Sequence, residues 1–226
     1  MVKNRIFALC FRAVAFVVCI IGILFNIGLF DGALDGVGLL YYTLQSNILV
    51  IILFGVLIFK TAQGLKREGK EGSCSYYPRI SAGVLLCIML TFIVFWAILA
   101  PFAGELSGYL SSYMNLSVHL ICPLLMLADY ILFTERGKIK KYDPLIFSIV
   151  PILYFIQATI LGFAGANYKL PMEEEIKNFP YFFMDYYKEG AWVALYIVAL
   201  AAFYIGLGYL LWFIDGRISR KKQESQ

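Results

Sequence analysis

Thr43 and His119 are the two residues of this chain whose types and setting could do chemistry together, and each sits within a long apolar run. An imidazole can accept the proton of a neighbouring hydroxyl, making its oxygen a better nucleophile toward an acyl carbon, and can then return the proton to the leaving group. Threonine is a hindered nucleophile, so such a base is essential. Other polar residues cluster around the pair. Ser46 and Asn47 lie three and four residues after Thr43, on one helical face, and are candidate oxyanion donors. Thr43 and Ser46 equally suit a simple helix start. Asn115, four residues before His119, is placed to orient the ring or to bind a carbonyl, and Cys122, three residues after it, is a competing nucleophile. His119 is the only histidine. That excludes a zinc site of several imidazoles and the multi-histidine hydrolases and desaturases. No metal and no cofactor is expected.

Two further ionisable residues interrupt apolar runs. Arg12 lies about 9 Å into the first run and Asp129 about 6 Å from the end of the fourth, at 1.5 Å per residue. Matching depths predict an ion pair. Such a pair serves either as structural glue or in headgroup or proton binding, since ionisable residues inside a membrane usually face the bundle interior.

The elements that must position these residues are membrane helices. Hydrophobic residues make up 61% and charged residues 15% of the 226 residues, against ~25% charged in soluble domains. Too few polar residues remain to cover an aqueous surface. Six segments reach the ~20 apolar residues that a span requires: 6–30, 40–60, 80–103, 110–133, 144–165 and 190–214. The fold expected is all-α, one polytopic domain over 1–226, a bundle of six transmembrane helices. The gap at 166–189 is too short for a soluble domain. The first run is too long for a cleaved signal and lacks a small-residue cleavage site. The Cys10 region comes too early for lipoprotein processing. The cysteines fall mostly in apolar runs, which suggests no disulfide framework.

Loop charges orient the bundle. Lys3 and Arg5, then Lys60, Lys66, Arg67, Lys70 and Arg79, then Arg136, Lys138, Lys140 and Lys141, then Arg217, Arg220, Lys221 and Lys222 all fall on the side of the termini. Lys169, Lys177 and Lys188 fall opposite, with eight carboxylates: Asp31, Asp35, Glu105, Glu173, Glu174, Glu175, Asp185 and Glu189. Positive residues collect on the cytoplasmic side, so both termini are expected in the cytoplasm of a cell whose cytoplasmic membrane holds the chain. Thr43 and His119 then lie in the outer half, where their side chains can meet. Loop 166–189 mixes three glutamates with Phe179, Tyr181, Phe182, Phe183, Tyr186 and Tyr187. Two readings fit it: an interfacial aromatic belt, or a lid over a lipid pocket.

The motif Tyr41-Tyr42-Thr43-Leu44-Gln45-Ser46-Asn47, followed by Asn115-Leu116-Ser117-Val118-His119 with Pro123 and Asp129, resembles the androgen-induced family of six-helix membrane proteins, and especially its prokaryotic branch. Phe95-Trp96, Tyr168 and Pro171 also fit, and the resemblance covers essentially the whole chain. The resemblance implies an intramembrane threonine hydrolase acting on fatty acid esters of hydroxy fatty acids, with Thr43 as nucleophile and His119 as base. Expected partners are the bilayer and a lipid acyl ester, not a nucleic acid. The alternative is a non-enzymatic transporter or lipid-binding protein using the same polar pocket. Pro151 lies within the fifth span, and the chain shows no obvious internal repeat, as inverted-repeat transporters would.

Overall fold

A computed structural model describes residues 1–30, 32, 34–103, 106–168 and 176–224. Asp31, Glu105, Lys169, Pro171 and Glu173, Glu174 and Glu175 therefore lie outside the described residues. The described chain is all-helical, with six helices long and apolar enough to cross a membrane: α1 (Arg5–Asn26), α2 (Tyr42–Glu68), α3 (Pro78–Leu99), α4 (Tyr113–Phe133), α5 (Asp143–Phe163) and α6 (Trp192–Arg220). Apolar runs of this length become helices in lipid because only a helix satisfies every backbone group within its own segment.

Local signals set the ends. The Asn4 side chain accepts the Phe7 amide at 3.0 Å and caps α1. α1 stops at Asn26, short of the expected residue 30, because the chain turns at Gly28, whose φ of 71° suits glycine. Pro78 and Pro144 sit in the first turns of α3 and α5, where a missing amide hydrogen costs nothing. The last helix continues to Glu224, ten residues past the expected end at 214, because the chain beyond the apolar run holds no proline and is rich in Arg, Lys, Gln and Glu, which favour helix.

The core lies among α1 to α4, where Ala15, Phe54, Leu57, Ile88 and Met126 are buried together. α4 is the most enclosed helix, with half of its span buried against 11% for α6. Both termini emerge at the same end of the bundle. There the buried Arg5 donates to the carbonyls of Gly69 and Glu71, each at 2.8 Å, and pairs with Glu68. Asp215 accepts the amides of Gly137, Lys138 and Ile139 and the Tyr130 hydroxyl, tying the α4–α5 loop to α6. Arg79 Nε donates to Asp143 at 2.7 Å, joining α3 to α5.

Arg12 and Asp129 form an ion pair between α1 and α4. Arg12 Nε donates to Asp129 Oδ1 at 2.7 Å, and neither side chain is more than 1% exposed. Arg12 also donates to Thr61 Oγ1 at 2.7 Å, and its guanidinium lies over the Phe133 ring. The pair sits well below Thr43 and His119 in the bundle and joins three helices.

Candidate functional site

Two helices of the bundle widen locally into π-turns, one at Phe95–Leu99 in α3 and one at Ser117–Ile121 in α4. The second carries His119. Pro123 follows, and with no amide hydrogen it leaves the carbonyl four residues back, that of His119, without its usual helical donor. The Trp96 indole, on the facing π-turn, supplies one at 2.9 Å. Phe95 from the same turn stacks on the imidazole, with centroids 3.6 Å apart and planes 14° from parallel. The histidine is thus held from two sides by consecutive residues of α3.

The ring nitrogens are then distinct. Nδ1 lies 3.1 Å from the Asn115 carbonyl oxygen, which can only accept, so Nδ1 carries the proton. Nε2 is left with its lone pair and lies 3.3 Å from Thr43 Oγ1. The Thr43 hydroxyl therefore donates to Nε2, the arrangement a general base needs. Among the described residues no carboxylate orients the ring. The Asn115 main chain does, while its half-buried side chain makes no hydrogen bond among the described residues.

Ser46 and Asn47 are both engaged in packing. Ser46 Oγ donates to the Thr43 carbonyl at 3.0 Å and shares a 2.7 Å bond with Thr91 Oγ1 on α3. Both hydrogens of the Asn47 amide are used, on the carbonyls of Thr43 at 2.8 Å and Val118 at 3.1 Å. These bonds pin α2 to the two π-bearing helices and fix the Thr43 side chain relative to His119. Neither Thr43 nor Ser46 caps α2: the capping position is Tyr41, whose side chain makes no capping bond. Cys122 points toward α1, its sulfur 2.9 Å from that of Cys19. Gly22 on α1 allows the close approach of Ser117, since a Cβ there would lie 2.8 Å from Ser117 Cβ.

A cavity of about 140 Å³ opens beside Thr43, between α3, α5 and α6. Its walls are mainly apolar, and Tyr204 and Ser148 lie at the far end. Tyr181, Phe183 and Met184 of the loop before α6 roof it, while Phe182, Tyr187 and Trp192 are exposed. The aromatic loop thus divides, one set of rings covering the cavity and another facing outward. Tyr181 also faces the Thr43 side chain. Burial pushes its phenol above the ordinary value, and the hydroxyls of Thr43 and Tyr154 oppose that shift.

The sequence singled out Thr43, His119, Asn115, Ser46 and Asn47 but not Trp96 as a partner of His119, nor Tyr154. Pro123 was the usable signal for the first: a proline in a span always leaves one carbonyl that needs an outside donor. Tyr154 gave none, because in a span tyrosine reads as one more apolar residue. No family model, curated protein or solved structure matches the chain.

Proposed function

We propose that the protein is an intramembrane lipid ester hydrolase in which Thr43 is the nucleophile and His119 the base. One observation carries this reading: a threonine hydroxyl 3.3 Å from the unprotonated nitrogen of a fixed imidazole, at the mouth of an apolar cavity. The Thr43 Oγ–H proton passes to His119 Nε2 as Oγ bonds to the ester carbonyl carbon, and the carbonyl electron pair moves onto its oxygen. On collapse the bond from carbon to the alkoxy oxygen breaks, and the departing oxygen takes the proton from Nε2. Water then attacks the acyl-threonine, His119 takes its proton, and Thr43 leaves as the hydroxyl. The products are a carboxylic acid and an alcohol.

The cavity suits an acyl chain, and fatty acid esters of hydroxy fatty acids or related acyl lipids are the substrates favoured by the resemblance of the Thr43 and His119 motifs. A fluorophosphonate probe tests the reading. It is expected to label the purified protein at Thr43, and labelling elsewhere, or none, would reject it.

Tyr204 closes the far end of the cavity, its hydroxyl donating to the Phe147 carbonyl at 3.2 Å. From Ile197 to Tyr204 the α6 wall runs about 10 Å at 1.5 Å per residue. Tyr204→Ala is expected to shift the preferred acyl chain upward. Each further buried methylene is worth ~0.8 kcal/mol, near fourfold in kcat/KM. Rates on esters from butanoyl to palmitoyl, compared with wild type, measure it. An unchanged length profile would remove Tyr204 from the floor.

We also propose a cytoplasmic-membrane location with both termini in the cytoplasm. The end of the bundle that carries the termini holds nearly all the loop lysines and arginines, while Lys177 and Lys188 lie at the other. A cysteine placed at position 70 is expected to react with an impermeant maleimide only after the cells are opened. Reaction in intact cells would invert the topology.

A further inference from the structure

The reaction proposed above puts negative charge on the carbonyl oxygen, and that charge needs donors beside Thr43. Ser46 and Asn47 cannot supply them, because their hydrogens are committed to α2, α3 and α4. Donors outside the helical ladder do exist at this point. The amides of Tyr42 and Thr43 belong to the first turn of α2, where no intrahelical acceptor is available, and they turn toward the Tyr181 phenol instead. The Tyr154 hydroxyl is buried, its residue only 7% exposed, and no well-formed hydrogen bond engages it among the described residues. It lines the same cavity as Thr43, and its ring packs edge-on against Tyr42, with centroids 5.1 Å apart. The Tyr181 phenol faces the Thr43 side chain and the same two amides. A dry polar group without a partner costs about 1–3 kcal/mol, so a phenol left in this state beside a nucleophile marks the place of an absent acceptor.

We infer that the Tyr154 and Tyr181 phenols, backed by the amides of Tyr42 and Thr43 at the start of α2, form the oxyanion hole for an ester carbonyl. The inference rests on the hydrolase reading. The phenols come from α5 and from the roof of the cavity, so the hole is complete only when the aromatic loop is seated over Thr43. The ligand class is a carbonyl or phosphoryl oxygen carrying developing negative charge. The positive end of the α2 dipole adds to the same field.

The test uses the full chain in detergent micelles, with p-nitrophenyl octanoate turnover and the rate of fluorophosphonate labelling as readouts. Tyr154→Phe and Tyr181→Phe remove only an oxygen each. Each is expected to lower kcat about 10²-fold, the scale for one oxyanion donor, with KM within about twofold and the labelling rate falling in parallel. Tyr168→Phe is the control: it too removes a buried hydroxyl without a partner, and is expected to leave kcat unchanged. Thermal unfolding reports whether each variant keeps its fold. If wild type labels at Thr43 but both phenylalanine variants keep kcat, or change KM alone, the phenolic hole is overturned and the hydrolase stands. If wild type neither turns over ester nor labels, the hydrolase reading falls and the hole with it.

Discussion

Thr43→Ala and His119→Ala are each expected to reduce ester hydrolysis by about 10³-fold or more, with the protein still folded. The double variant is expected to be no worse than either single one, because a nucleophile and its base act as one unit. The geometry gives the reason. His119 Nδ1 is tied to the Asn115 carbonyl, so the ring has one free lone pair, and that lone pair meets Thr43 Oγ1 at 3.3 Å. Without the imidazole the hydroxyl has no acceptor for its proton at the moment of attack. Thr43→Ser should retain partial activity, since the hydroxyl reacts and the methyl group only shapes the cavity. Steady-state rates on a lipid ester, with thermal unfolding of each variant, decide the matter. A folded Thr43→Ala protein that cleaves esters as fast as wild type would end the threonine-hydrolase reading and leave a binding or transport site.

The largest stability effect is expected at Asp129. Asp129→Ala leaves the Arg12 guanidinium buried at 1% exposure with Thr61 as its one hydrogen-bond partner among the described residues. Stripping a buried charge of its counter-ion typically costs ~3–5 kcal/mol, enough to remove much of the folded protein from a membrane preparation. Replacing both partners, with Arg12→Met and Asp129→Leu, removes the charge along with the need for it, and is expected to recover most of the loss. Folded yield and melting temperature in detergent measure both. A stable Asp129→Ala protein without hydrolase activity would move the pair from structure to chemistry.

Much of this architecture is written in the composition. Runs of apolar residues of the right length leave helices as the only spanning structure, and the helix count follows from counting the runs. Arg12, Asp129, Thr43 and His119 stand out because a polar residue in such a run needs a partner at its own depth. What the sequence hid was which partners the neighbouring Ser46 and Asn47 take. Ser46 and Asn47 have the right types and spacing for oxyanion donors, yet their hydrogens go to Thr91, Val118 and the Thr43 carbonyl, because contacts with α3 and α4 are set by helix rotation rather than spacing. The π-turns were also invisible: their altered bonding leaves no periodic mark in a run that is apolar on every face. The cavity arises between α3, α5 and α6, helices whose polar residues drew no attention.

The paired π-turns bear on how such a site comes and goes over evolutionary time. A turn closed by an i→i+5 bond holds one residue more than an α-turn. Dropping one codon from the stretch encoding Ser117–Ile121 restores a plain α-helix, yet Met126, Asp129 and Phe133 still face α1. The same holds for Phe95–Leu99 and the core residues Leu85 and Ile88 before it. The residues that hold the imidazole thus sit in a register that one extra residue in each helix sets, while Asp129 and the core residues beyond keep theirs.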